Sequence, residues 1–247
     1  LELSLKSKNV LIVGGSGGIG SAVSKSFFAE GALVHIISRN RPDFLEPGIF
    51  WYSCDVTQNS QIAAVSADIL ANTAGQLDVM VCNVGSGSGE AEAITGEEEW
   101  QRLWQLNFTG TLSCLRIFEN ALKKAGGNAI LVSSIAGLES IGAPTAYSVA
   151  KSALIALGRE LSRKWAPDIR INVVAPGNIM AEGGTWDAKM KENSDAVQQM
   201  VQQKVPLQRF GTPREVADLI LFLSSEKAAF ITGSCLVIDG GQTTSFN

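Results

Sequence analysis

An open, doubly wound parallel β-sheet of about seven strands, covered by helices on both faces, is the fold this sequence predicts. Two observations carry that expectation. Short β-branched apolar runs alternate with longer helical stretches along the whole chain, and no Pro/Ser-rich linker, repeat or low-complexity tract interrupts them. A glycine cluster, Gly14-Gly15-Ser16-Gly17-Gly18-Ile19-Gly20, sits where the first strand meets the first helix. Repeated strand–helix–strand order requires parallel pairing, and strands buried on both faces read as continuous apolar runs.

Taken in order, the first strand is expected at 9–13, Asn-Val-Leu-Ile-Val, and the first helix at 19–30 after the glycine turn. The run around His35 gives a strand at 33–37, and Phe-Trp-Tyr-Ser-Cys gives one at 50–54. A helix follows at 60–72, then a strand at 79–82 and a loop through Gly85-Ser-Gly-Ser-Gly89. One long helix is expected at 97–124, a strand at 129–132, a helix at 146–165 and a strand at 170–174. The segment 178–204 breaks the alternation. It is polar, partly helical and follows a strand end, where binding lids occur in open α/β folds. A helix at 213–223 and a strand at 234–238 complete the pattern.

A chain of 247 residues is long enough for one large domain, so a single domain 1–247 is expected, with the lid at about 178–205. Apolar residues make up 45%, charged residues 18%, and the formal net charge is −4. Mild acidity without a Lys/Arg run argues against a nucleic-acid or anionic-membrane surface. No apolar stretch approaches a membrane span, and Leu-Glu-Leu-Ser-Leu-Lys is too polar for a signal peptide. Cys54, Cys82, Cys114 and Cys235 are far apart with no Cys-x-x-Cys, the pattern of buried reduced thiols in a cytoplasmic protein. The one histidine, His35, lies in a core-like strand. That rules out a multi-His metal site, and no metal is expected.

Three clusters carry chemistry. Tyr147-Ser-Val-Ala-Lys151 places a phenol and an ammonium one helical turn apart on one face. A nearby cation favours phenolate, so Tyr147 is a candidate general acid/base with its pKa drawn down by Lys151. The glycine cluster fits Gly-x-Ser-x-Gly, but that hydrolase elbow needs a later histidine and none exists beyond His35. Gly14, Gly17 and Gly20 fit Gly-x-x-Gly-x-x-Gly, while Gly14, Gly18 and Gly20 fit Gly-x-x-x-Gly-x-Gly. Both let a backbone approach a dinucleotide phosphate at a helix N-terminus. The second strand ends in Ser38-Arg39-Asn40, with Arg41 next. An acid there would bind a ribose 2′-hydroxyl; an arginine accommodates a 2′-phosphate, so NADP(H) is expected over NAD(H).

With these motifs in order and spacing, the sequence resembles the short-chain dehydrogenase/reductase family, in its single-domain Rossmann-type form of about 250 residues. The resemblance covers nearly the whole chain. The family's Thr-Gly-x-x-x-Gly-x-Gly falls on Val13–Gly20, which includes Ser16, Gly18 and Ile19; its Asp-Val pair falls on Asp55-Val56; its Asn-Asn-Ala-Gly turn falls on Cys82-Asn83-Val84-Gly85. The mid-helix asparagine matches Asn107, the catalytic serine Ser134, thirteen residues before Tyr147, and the Pro-Gly turn Pro176-Gly177, followed by Ile179. The chain closes with Ile231-Thr-Gly and Ile238-Asp-Gly-Gly241, as many members do.

The resemblance implies that Ser134 orients a substrate carbonyl, Tyr147 protonates it as hydride arrives, and Lys151 assists Tyr147 and holds the nicotinamide ribose. It also implies that Asn107 anchors a water leading to Lys151. It implies a homotetramer, with a four-helix interface from 97–124 and 146–165 and a second interface closed by 234–247. Four departures stand out: Val13 for threonine, Cys82 and Val84 for Asn and Ala, and Ala181 where many members have threonine. Gly17 also stands where many NADP(H)-preferring members carry a second basic residue.

In the lid, Gly183-Gly184 is a candidate hinge, and Trp186 with Glu182, Asp187 and Lys189 offers a stacking face with polar neighbours. That suits a polar, sugar-like carbonyl or alcohol substrate. A 3-oxoacyl-[acyl-carrier-protein] reductase is the main competitor; Arg102, Arg116, Lys123 and Lys124 would supply its docking patch. A nucleotide-sugar epimerase or dehydratase shares two motifs but resembles a longer branch. A catalytically idle nucleotide-binding protein is the third class.

Overall fold

The computed structural model describes residues 2–90 and 92–244; the end of the 234–247 tail lies outside them. Seven strands form one parallel sheet in the order β3-β2-β1-β4-β5-β6-β7. They are β1 (Asn9–Val13), β2 (Leu33–Ser38), β3 (Ile49–Ser53), β4 (Val79–Cys82), β5 (Asn128–Val132), β6 (Arg170–Pro176) and β7 (Cys235–Ile238). Helices cover both faces: α1 (Gly18–Ala29), α2 (Asn59–Asn72), α3 (Glu97–Trp104), α4 (Gly110–Ala125), α5 (Thr145–Trp165), α6 (Thr185–Glu192), α7 (Ser194–Lys204) and α8 (Pro213–Ser224).

The two-sided burial expected from continuous apolar strands is realised residue by residue. On β1, Leu11 and Val13 point into one core with Phe118, Leu122 and Leu154. Val10 and Ile12 point into the other with Phe27, Val216 and Ile220. Successive strand residues face opposite sides, so each strand feeds both cores. The chain starts in the middle of the sheet and winds outward both ways. The reversal falls between β1 and β4, and ligands of such sheets bind beyond the carboxyl ends of the strands at that switch point. Helix α8 starts at a capping box, in which Thr212 accepts from the Glu215 N–H and the Glu215 carboxylate accepts from the Thr212 N–H.

The expected helix at 97–124 is helical throughout, from Glu97 to Ala125, but not as one regular α-helix. A π-helical turn at Gln105–Thr109 separates α3 from α4 and carries buried Asn107. The lid segment forms α6 and α7, one directly after the other. His35 is 1% exposed, stacks on Phe50 with ring centroids 4.9 Å apart, and lies 3.1 Å from the Tyr52 hydroxyl through Nδ1. Burial lowers its pKa to about 4, so it is a neutral core residue. Cys54, Cys82 and Cys114 are buried free thiols whose pKa values burial pushes up. Among the described residues no helix is long and apolar enough to cross a membrane.

Candidate active site

Two cavities open along the carboxyl edge of the sheet. The first, of about 380 Å³, is lined by Ser134, Tyr147, Ile19, Pro176, Gly177 and Ile179, together with lid residues. The second, of about 430 Å³, is lined by Gly14, Ser16, Gly17, Gly18, Ser38, Arg39, Asp55, Val56, Asn83 and Gly85. Most of the predicted site residues from 14 to 179 thus line these two spaces; Gly20, Asn107 and Lys151 do not.

The glycine loop owes its shape to close approach. Gly14 has φ +85°, in the left-handed region, and a Cβ there would lie 3.0 Å from the Val84 side chain. A Cβ on Gly20 would strike the Gly14 carbonyl oxygen. Gly20 therefore lines neither cavity and instead lets α1 pack onto the loop. Asn83 holds the loop from the next strand: its backbone N–H donates to the Val13 carbonyl at 2.9 Å and its Nδ2 to the Gly14 carbonyl at 3.1 Å. These bonds tie the two turns together without the hydroxyl that Val13 lacks. Gly17 caps α1 with no side-chain bond, so the first-turn N–H groups stay open to an anion. That open cradle fits a dinucleotide pyrophosphate.

At the far end of the second cavity, Ser38 donates to the Asn40 carbonyl at 2.8 Å and accepts from Trp51 Nε1 at 3.1 Å. Its hydroxyl is spent on shaping the strand end. Arg39 is exposed on the rim, with Asn40 beside it. Asp55 accepts from the Thr57 N–H at 2.9 Å and the Thr57 hydroxyl at 2.8 Å, which fixes the turn after β3.

Around the first cavity, Ser134 follows β5 and its Oγ accepts from the Ala136 N–H at 3.1 Å, capping a short 3₁₀ turn. The neighbouring Ser133 points elsewhere: its Oγ donates to the Lys151 carbonyl at 2.8 Å and ties β5 to α5. Ser134 is the one near enough to the Tyr147 phenol to favour its ionised form. Lys151 is 4% exposed, and its Nζ donates to the Val132 carbonyl at 3.0 Å and lies 5.8 Å from the Tyr147 ring centroid.

The expectation that Lys151 draws the Tyr147 pKa down needs correcting for this structure. Burial pushes the Tyr147 phenol above its ordinary value, and the nearby Ser134 side chain offsets only part of that rise. The same burial lowers Lys151 to about 8. Both groups are desolvated, and the ammonium is engaged with a carbonyl rather than with the phenol oxygen.

Asn107 and Lys151 line neither cavity but sit behind them. Asn107 is fully buried. Its Oδ1 accepts from the Ser86 N–H at 3.0 Å, and its Nδ2 donates to the Ser86 and Leu103 carbonyls at 3.2 and 3.0 Å. Both amide hydrogens are spent on backbone, so the side chain clamps the Gly85–Ser86 turn. A Cβ on Gly85 would lie 2.6 Å from Asn107 Oδ1 and 2.8 Å from Lys151 Nζ, so only glycine lets the three meet.

The lid contributes more than the sequence showed. Trp186 lines the first cavity, packs on Phe210 at 5.4 Å, and has Lys189 over its ring at 4.9 Å. Asp187 is turned to the Gly183 N–H and to Lys191, and Glu182 lines the second cavity. Asn178, Met200, Lys204 and Gln242 also line the first cavity. Met200 and Lys204 fall within the expected lid without a motif to mark them, and Gln242 comes from a separate segment after β7.

The family described as enoyl-(acyl carrier protein) reductase matches residues 14–243. A tropinone reductase homolog of Arabidopsis thaliana is 32% identical over 98% of this chain and 93% of its own. A 3-oxoacyl-[acyl-carrier-protein] reductase of Mycobacterium bovis is 30% identical over 96% and 93%. The L-sorbose reductase of Gluconobacter frateurii, solved with NADPH and L-sorbose, superposes with a TM-score of 0.91 at 27% identity, covering 100% of both chains. The chain belongs to the short-chain dehydrogenase/reductase family. Its reaction is hydride transfer between a nicotinamide cofactor and a ketone or secondary alcohol.

Proposed function

We propose that this oxidoreductase prefers NADP(H) and reduces or forms a polar, sugar-like ketone, with Ser134, Tyr147, Lys151 and Asn107 as its catalytic machinery. The observation that carries the reading is the pairing of Ser134 with Tyr147 in a cavity walled by Ile19, Pro176 and Ile179 on one side and the lid on the other. A bound nicotinamide would supply the hydride. Ser134 orients the substrate oxygen by hydrogen bonding, and Tyr147 donates the proton to that oxygen. A phenol whose pKa is raised is held protonated, ready to donate. Lys151 sits behind the phenol as the nearby positive charge, and Asn107 positions the Gly85–Ser86 turn against it. Gly14, Ser16, Gly17 and Gly18 would hold the pyrophosphate, Asp55 and Val56 the adenine, and Asn83, Pro176, Gly177 and Ile179 the nicotinamide half.

Arg39 supports the NADP(H) preference: it lies on the cavity rim with Ser38, not an acid, before it. The likeness to an enzyme solved with NADPH and L-sorbose points the same way and supports a polar ketone substrate. The acyl-carrier-protein reductase reading keeps a relative in its favour. Its docking patch is weakened here, because Glu99 pairs with Arg102 and Asp168 with Lys123. We place the protein in the cytoplasm, on its mild net charge and buried thiols.

The test is kcat/KM with NADPH and NADH on one accepted ketone. NADPH should win by about tenfold to a hundredfold, the worth of one charge-assisted contact. Added salt should shrink the preference, and Ser38→Asp with Arg39→Ala should reverse it. Equal values in the unmodified protein would leave Arg39 a solvated loop residue.

A further inference from the structure

We infer that the substrate carries an anionic group, a carboxylate or a phosphate, held by Lys189 and Lys204 at the lid end of the first cavity. The chain is acidic overall, with net charge −4, yet the wall of this cavity includes two lysines and no carboxylate among the described residues. The imbalance is built by the lid. Lys189 lies on α6 and Lys204 is the last residue of α7, so two successive helices bring their cations to one space. Neither lysine has an acidic partner among the described residues, whereas Lys191, on the same helix as Lys189, is bound to Asp187 at 2.8 Å. Asp187 is thereby turned from the cavity, and its second contact, the Gly183 N–H at 2.9 Å, holds it there.

Lys189 is also placed rather than free. Its Nζ stands 4.9 Å over the Trp186 ring, and Trp186 is backed by Phe210. The ring lines the cavity, so this contact brings the exposed Lys189 ammonium to its wall. The lining also includes the apolar Ile141, Ala143 and Pro144. A volume of about 380 Å³, part of it needed by the nicotinamide side at Ile19 and Pro176, leaves room for a small molecule. The fit is a short ketone with its carbonyl toward Ser134 and Tyr147 and its acid toward the lid. Only the placing of the carbonyl end rests on the proposed catalytic reading; the anion end rests on the lid itself.

Equilibrium titration of the protein loaded with NADP+, which has no hydride to give a ketone, tests this without turnover. The probes are two matched pairs: dihydroxyacetone phosphate against dihydroxyacetone, and acetoacetate against methyl acetoacetate. At least one anion should bind about tenfold or more tightly than its neutral partner, and which pair shows it distinguishes phosphate from carboxylate. The anion-to-neutral ratio should fall toward one in Lys189→Gln/Lys204→Gln and stay unchanged in Lys191→Gln. Added salt should lower it in the unmodified protein. Neutral members binding as tightly as the anions, no anion binding in the millimolar range, or a ratio unmoved by the double substitution would overturn the inference. Anion binding with no reduction of either anionic ketone once NADPH replaces NADP+ would instead count against the catalytic reading.

Discussion

Lys151 holds its ammonium in a place nearly closed to water, with the Val132 carbonyl as its hydrogen-bond acceptor. Its native pKa of about 8 lies below the ordinary 10.5, so between those values the unfolded chain binds more protons than the native one. Stability therefore rises with pH across that window, and the full cost of burying the charge, on the order of 3 kcal/mol, is present below it. Lys151→Met should accordingly raise the melting temperature of the cofactor-free protein near neutral pH. The gap should close as pH climbs toward the upper end of the window, and a gap constant with pH would contradict the burial account. Tyr147 makes the complementary case for activity. Tyr147→Phe removes the transferable proton while keeping the ring against Gly87, so kcat should fall by about 10²–10⁴ with NADPH affinity little changed. Near-normal turnover would remove Tyr147 from the mechanism.

The π turn between α3 and α4 shows how an element serves the site. A regular helix through 97–124 satisfies its own backbone, and nothing in local propensity asks for an extra residue in one turn. Asn107 does, because its amide bonds both the N–H and the carbonyl of Ser86, twenty-one residues away in sequence. π-Bulges recur at functional sites for this reason: they turn a side chain out of register toward a distant partner. Asn107→Ala leaves the Ser86 N–H without its acceptor beside Lys151, and the cost should be about 2 kcal/mol. Urea unfolding would read this as a lowered midpoint at unchanged slope. If the midpoint holds while kcat falls, Asn107 acts in the chemistry rather than through the Gly85–Ser86 turn. The lid follows the same logic at larger scale. Gly183-Gly184 precedes α6, and Ala181 comes close enough to Gly18 that a Cβ there would touch it at 3.7 Å. The lid therefore abuts both cavities, and a change of its angle would alter both.

For the whole molecule, the expected assembly is a homotetramer. Helix α5 carries exposed Val149, and Phe230 is fully exposed beyond α8. Apolar side chains left in water on long helices and near the last strand suit burial against further copies. Light scattering at micromolar concentration should give four times the chain mass; a monomer would contradict the expectation.

What the sequence determined by itself was everything written in local pattern. Strand and helix order, the glycine loop, Tyr147 with Lys151, and the absence of an acid at Ser38 follow from periodicity and residue chemistry within a few positions. Strand boundaries such as Asn9–Val13 and Val79–Cys82 came out as read, because β-branched runs end at turn residues. Tertiary structure decided what depends on distant neighbours. It put a π turn into the helix at Asn107, turned Ser133 to the Lys151 carbonyl, and raised the Tyr147 pKa where spacing pointed down. It also brought Lys189, Lys204 and Gln242 from separate segments to one wall. The physical reason is common to all four: burial, hydrogen-bond satisfaction and cavity electrostatics are sums over atoms far apart in sequence, and only the folded chain fixes which atoms those are.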